Sequence, residues 1–300
     1  MPDTFAHLGV QALASRGLCR DADIKWIAVG CIIPDVPWIV QRGILALQVP
    51  VDPYGLRFYA IAQASLFCCL LLAGALSLMA GDSRGLFRLL ALNAFLHLFL
   101  DALQTKWANG VHFFAPFNWQ AISFGLFWPE DLVSLVLTLL GVLALIYFGF
   151  QDRNRQIVFT APPPRLGAAF LLLAAYLILP VVFSYGPRQE DDHFAATLRM
   201  KDQRPGRYVE LDRVPYSRSE NSVRLPDGER VLLRGKSAQA DGLVSVQGRF
   251  ADRETIHVSN LHVHTTLRDL SSKTALAGVL LLWLIAFARK RSTFRRHPSP

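Results

Sequence analysis

The stretch "NAFLHLFLDALQ", residues 93–104, is apolar enough for lipid, yet it carries a histidine and an aspartate four positions apart. It lies in a longer apolar window, 86–105, of about the 20 residues that a helix needs to cross a bilayer. On such a helix, positions i and i+4 stand one above the other, so His97 and Asp101 share a face. Ionisable groups in a span are costly, and they face a bundle interior or a watery cavity, with a partner. Two alternatives follow: a structural clasp between helices, or part of a site.

The rest of the chain agrees with a membrane reading. Of its 300 residues, 52% are hydrophobic and 18% charged, and the mean hydropathy is +0.30. This is too oily for an ordinary soluble enzyme. Clear span-length windows are 58–80, 86–105, 131–149, 165–184 and 274–288. A sixth, 24–47, is interrupted by Pro34, Asp35 and Pro37. The expected fold is therefore an α-helical integral membrane protein of five to six spans, with a small all-β domain inserted before the last. Its divisions are 1–184 (helical membrane domain), 185–273 (β domain) and 274–300 (final span and basic tail). The N-terminal segment has neither a basic start nor an unbroken apolar core, so no cleavable signal peptide is expected. All four cysteines lie in the membrane half, which argues against a disulfide scaffold.

Arg289, Lys290, Arg291, Arg295 and Arg296 crowd the tail. They read as a cytoplasmic anchor beside a span, and nucleic acid is not an expected partner. Counting back from a cytoplasmic C-terminus puts the polar segment 186–273 outside, the Arg-containing loop 151–165 inside and the loop 106–130 outside. Span 86–105 then runs outward. Asp101 sits about 6 Å and His97 about 12 Å from its outer end. Residues 106–130 are rich in Trp and Phe, including Trp107, Phe113, Phe114, Phe117, Trp119, Phe124, Phe127 and Trp128. They suit an aromatic belt at the lipid–water boundary, or else one wall of a cleft for lipid-linked molecules.

Between 208 and 264 the pattern changes to short β-branched runs with turn signals, notably "PDGE" at 226–229 between Val223/Leu225 and Val231/Leu233. A small OB-like barrel or a sandwich is expected. His257, His262 and His264 invite a metal reading. No carboxylate or cysteine stands at a matching spacing, so exposed strand histidines are the expectation.

Asp35, in "GCIIPDVPW" (30–38), is the charge at a proline-broken point of an apolar segment. Irregular backbone at that depth is tolerated where it lines protein or a cavity. His7 is the lone ionisable side chain in "TFAHLGVQALA". With His97 and Asp101 these make a two-histidine, two-carboxylate set suited to a divalent metal: zinc, with manganese as the alternative. Metal-bound water would be the nucleophile, and Asp35 or Asp101 the general base. Asn93, one turn before His97, is expected to orient it. For His7 to reach Asp101, residues 1–50 are expected to form a short helix and a re-entrant segment on the outer side. The positive-inside rule, applied to Arg16, Arg20 and Lys25, opposes that arrangement.

"FAHLG", "GCIIPDVPW" and "HLFLDALQTKWANGVHFFAPF" resemble the bacterial membrane-bound metal-dependent hydrolases, inner-membrane proteins distantly similar to zinc-dependent phospholipase C. The resemblance covers about residues 1–150. It implies His7, Asp35, His97 and Asp101 as metal ligands, with His112 as a further candidate and Gly110, Pro116 and Phe117 matching the segment after them. It departs where Pro37 replaces a second acid and where 40–90 lacks a His-rich element. The implied activity is hydrolysis of a phosphoester or ester in a lipid or lipid-linked substrate, at the outer face of the bacterial inner membrane. The alternative is a non-catalytic envelope protein whose β domain binds a partner protein and whose buried His and Asp groups are structural.

Overall fold

The computed structural model describes residues 4–155, 157, 159–191 and 193–294, with side chains as far as 288. The tail residues Arg295 and Arg296, and the side chains of Arg289, Lys290 and Arg291, lie outside this description. Helices α1 (Thr4–Leu18), α2 (Ile24–Ile32), α3 (Val36–Ala46), α4 (Pro53–Gln63), α5 (Leu66–Leu78), α6 (Ser83–Leu103), α7 (Leu132–Gln151) and α8 (Pro163–Phe183) precede two short helices, α9 (Tyr185–Glu190) and α10 (Ala195–Arg199). A five-stranded barrel follows, and α11 (Leu267–Phe294) closes the chain.

Among the described residues, five helical segments are long and apolar enough to cross a membrane: 24–46, 83–103, 132–151, 163–190 and 267–288. More than half of the first is buried within the protein (56%), against 22%, 17% and 11% for the last three. The last three therefore turn most of their apolar surface outward, including Leu135, Leu139, Phe170, Ile178 and Leu281. Such continuous apolar surface is foreign to a water-exposed monomer.

Two expectations change places. The interrupted stretch 24–46 passes as one span-length segment, through a 3-10 turn at Ile33–Asp35. Pro34 and Pro37 stand in first-turn positions, where the missing N–H is not needed. The window 58–80, by contrast, is not straight, because α4 and α5 meet at 66°. Ser65 starts the second helix by accepting from the Cys68 N–H.

A re-entrant path within residues 1–50 is not the arrangement found either, since 24–46 runs on as one segment. Arg16 and Lys25 both reach Asp152, at the end of α7, and Asp152 also accepts from the Ile24 N–H at 2.9 Å. The α1–α2 turn thus shares the end of the bundle with loop 151–165. From there α1 runs alongside α7, and His7 lies part-way up the bundle.

Glycines permit that packing. A Cβ on Gly141 would meet the Phe5 carbonyl oxygen at 1.8 Å, and one on Gly9 would meet Gly141 N at 2.6 Å. No other residue allows α1 and α7 so close together, and this contact sets where His7 stands.

The β segment is a closed barrel and not a sandwich. Its strands are β1 (Tyr208–Ser217), β2 (Ser222–Arg224), β3 (Arg230–Arg234), β4 (Gly242–Phe250) and β5 (Thr255–His264), in the order β1-β2-β3-β5-β4. Only β3 and β5 pair in parallel. The 226–229 turn forms the β2–β3 hairpin, with Val223 opposite Val231 and Gly228 at φ 89°. The barrel core is continuous with Tyr54 and Phe58 of α4 and with Phe194. This joint seats the barrel over one end of the helical bundle.

Candidate metal centre

Three distant parts of the chain meet inside the bundle. His7 comes from α1, Asp35 from the 3-10 turn, and His97 and Asp101 from the buried face of α6. The two imidazole rings lie stacked, with centroids 3.8 Å apart and planes within 3°. His7 Nε2 is 3.5 Å from Asp101 Oδ1. His97 Nε2 is 3.6 Å from Asp35 Oδ1 and 3.8 Å from Asp101 Oδ2. The ligand atoms of His7, His97 and Asp101 fall within 4.8 Å of one another. Asp35 stands beside that trio, through His97.

These separations are long for hydrogen bonds, and none forms. His7 Nε2 and Nδ1, His97 Nε2 and Nδ1 and Asp35 Oδ1 are all buried without a hydrogen-bond partner. A buried polar group in that condition costs about 1–3 kcal/mol. So many in one place signal that the protein alone does not satisfy the site. Two ligands held tetrahedrally at about 2.0–2.1 Å from one ion lie about 3.3 Å apart. The observed spacing is close to that, so this buried group could hold a divalent cation.

Lys106 is a member that sequence reasoning missed. Its Nζ is 2.9 Å from Asp101 Oδ1, and both side chains are nearly buried. The only signal was its place five residues beyond Asp101, where a lysine ordinarily reads as an interfacial anchor. Gln11 and Gln104, one turn from His7 and from Asp101, were missed too. Their side-chain amides are fully buried with neither end partnered.

Two expected members do not join. Asn93 gives its amide to Ser15 Oγ (3.0 Å) and the Leu89 carbonyl (2.7 Å), so it ties α6 to α1 and does not orient His97. The His112 Nδ1 is engaged with the Trp119 carbonyl at 2.7 Å. Burial lowers the affinity of its ring for a proton. His112 does, however, line the same cleft as Asp101 and Lys106.

That cleft has a volume of about 540 Å³ and runs between the bundle and the barrel. Its walls are α3 and α4, the loop after α6, the Arg213 and Leu243 strands and the start of α11. Of the Trp and Phe residues in 106–130, none lines it; Phe114, Phe117 and Phe124 are exposed on the outside.

Comparison with protein-family models, with curated proteins and with solved structures found no match to this chain. The site rests on its own geometry.

A second polar cluster corrects the reading of the strand histidines. His257 is exposed, as expected, but His262 is half-buried and His264 buried. The carboxylate missing from their neighbourhood is Glu130, 132 residues before His262. Its oxygens lie 3.2 Å from His262 Nε2 and 2.9 Å from His264 Nδ1. These three residues could also hold a metal by composition. Yet here the ligand atoms already bond one another, and the Arg213 guanidinium stands 3.1 Å from His264 Nδ1 and 3.5 Å from Glu130. Trp128 stacks on His262, with centroids 3.7 Å apart. Burial would raise the Glu130 carboxyl, but the two imidazoles bonded to it outweigh this and hold it well below the usual carboxylate range. His264 is lowered, chiefly by burial. This cluster is a clasp between loop 104–131 and the barrel.

Proposed function

We propose that this protein is a membrane-embedded, metal-dependent hydrolase that acts on a phosphoester or ester of a lipid or lipid-linked molecule. One observation carries the reading: two histidines and a carboxylate from distant segments converge in the bundle, with their ligand atoms spaced for a shared ion and the imidazole nitrogens unpartnered by protein. His7, His97 and Asp101 would hold the ion. When bound, a divalent cation, zinc or manganese, supplies Lewis acidity and lowers the pKa of water. Asp35 stands outside the trio yet beside it, the place for a general base that takes a proton from the attacking water. The Lys106 ammonium faces the cleft next to Asp101, where it can balance charge on a substrate oxygen.

The membrane reading draws support from the outward apolar faces of α7, α8 and α11. Orientation follows from charge. Arg16 and Lys25 gather with Asp152 beside the Arg-containing loop 151–165, which suits a cytoplasmic end. The cleft opens at the other end, toward the barrel, which on this reading is periplasmic and the inner membrane its home. The resemblance to the membrane-bound metal-dependent hydrolases points the same way. A second reading, the non-catalytic envelope protein, is favoured by Lys106, which already neutralises Asp101 without a metal.

Metal content of the detergent-purified chain decides between them. Stoichiometric zinc or manganese that disappears in a His97→Ala, Asp101→Ala double variant supports the hydrolase; a folded but metal-free wild type leaves only the second reading. Orientation has its own reporter. Cys19 is exposed while Cys31, Cys68 and Cys69 are buried, so a membrane-impermeant maleimide should label Cys19 in inverted vesicles and not in spheroplasts.

A further inference from the structure

The cleft beside the candidate metal centre is unevenly charged. Six of the residues that line it are Arg or Lys, and three are Asp. The three acids are engaged: Asp101 with Lys106, Asp212 with the Ser245 hydroxyl, and Asp269 with Arg213. Among the described residues, no carboxylate lies within ion-pair distance of Arg42, Arg57, Arg268 or Lys273. Arg57 donates to the Ala108 carbonyl at 2.6 Å and lies over the Phe194 ring.

Arg268 is the unusual member. Its residue is only 7% exposed, and its Nε and Nη1 are buried with no hydrogen-bond partner. A desolvated guanidinium without an acceptor is among the costliest states a side chain can hold. Its position worsens the balance, since it lies in the first turn of the 28-residue helix α11, where the helix dipole already favours anions. A planar fork of donors, buried in a cleft wall beside a helix start, matches the geometry of a phosphate group.

We infer that Arg268, with Arg42 and Lys273 at the rim, forms a binding subsite for a phosphoryl group in the cleft that Asp101 of the trio also lines. Its role as a substrate subsite rests on the hydrolase reading; its existence does not. The substrate class becomes a molecule with an anionic phosphate headgroup lying between barrel and bundle, and neutral esters are disfavoured. The phosphate can be lipid-borne or free in solution.

The test uses the full chain in dodecyl maltoside, stripped of metal with a chelator, and follows bound dioleoyl phosphatidic acid by native mass spectrometry. Phosphatidic acid should be retained at least about tenfold better than diolein, and Arg268→Gln should remove that preference. Arg268→Lys should keep part of it. Arg42 and Lys273 are exposed, so their double Gln variant should fold even where Arg268→Gln does not, and it should weaken retention about fivefold. The His97→Ala, Asp101→Ala variant should retain the lipid at least as well, since it removes an anion from the cleft wall and frees Lys106, and this separates the subsite from the metal reading. Inorganic phosphate or glycerol 3-phosphate that displaces the lipid would assign the subsite to free phosphates; failure to displace it assigns a lipid headgroup. Equal retention of diolein, loss of retention in the metal-site variant, or full retention in both the Arg268→Gln and the rim variants would overturn the inference.

Discussion

The protein holds two clusters built from the same residue types, and they are finished differently. In the bundle, His7, His97, Asp35 and Asp101 approach to 3.5–3.8 Å and bond nothing among themselves. At the barrel, Glu130, His262 and His264 approach to 2.9–3.2 Å and bond one another, with Arg213 fixed beside them. The barrel cluster also has its charge completed by a guanidinium held by Asp269, Glu130 and His264. The cation beside the bundle cluster, among the described residues, is the single ammonium of Lys106 on Asp101. Composition therefore says little about which cluster binds an ion; the satisfaction of its hydrogen bonds says much more.

That contrast can be broken most directly at the ligands. Loss of an outer-sphere partner typically costs 10–100-fold in metal affinity, so His7→Ala or His97→Ala should cost more than about 100-fold, read by competition with a chelating dye. Glu130→Gln should leave metal content unchanged. If Glu130→Gln strips the metal and His97→Ala does not, the two assignments are reversed. The clasp should show itself in stability instead. Glu130→Ala removes two charge-assisted hydrogen bonds, with an expected loss of about 1.5–3 kcal/mol in chemical denaturation.

The bundle cluster depends on how α1 is seated. Gly141→Ala should therefore cost about 1–3 kcal/mol and weaken metal binding by displacing His7. Gly17→Ala, in α1 itself with nothing within 4 Å of its added methyl, should be neutral to slightly stabilising. Equal effects of the two would separate His7 from the glycine contact.

The smallest expected effect is on pH. His264 is held below its ordinary value of 6.5, so the unfolded chain takes up a proton that the folded chain refuses. Stability is lost as pH falls through that ordinary value. Glu130 is held below its ordinary 4.5, so its contribution is present above that value and is lost as pH falls further. Both shifts act in one direction. Between about pH 7.5 and about pH 5 the clasp should loosen through His264 alone, by no more than about 1.4 kcal/mol for each unit of its shift. Fluorescence of Trp128, stacked on His262, should report the change, with Trp128→Phe as control.

Much of the bundle cluster was legible because its residues are anomalies in an apolar text. His97 and Asp101 announce a shared face by their spacing, Asp35 stands at a proline-broken point, and His7 is the lone ionisable group in its run. The barrel's turn at 226–229 was legible for similar local reasons. What could not be read was pairing across the chain. Glu130 is far in sequence from the histidines it serves, and Lys106 lies past the end of its helix. The α4–α5 bend turns on a capping hydroxyl at Ser65, within a stretch whose hydropathy suggested a straight helix. The dense packing of α1 on α7 depends on two glycines that, read singly, predict nothing.

The pairing of Lys106 with Asp101 bears on how such a centre is assembled. An ammonium resting against the carboxylate spares the metal-free protein a bare anion among apolar helices. On the hydrolase reading, folding would finish first and loading would follow as an exchange, in which an arriving ion takes the place of the lysine. A zinc finger, unformed until its metal arrives, works in the opposite order.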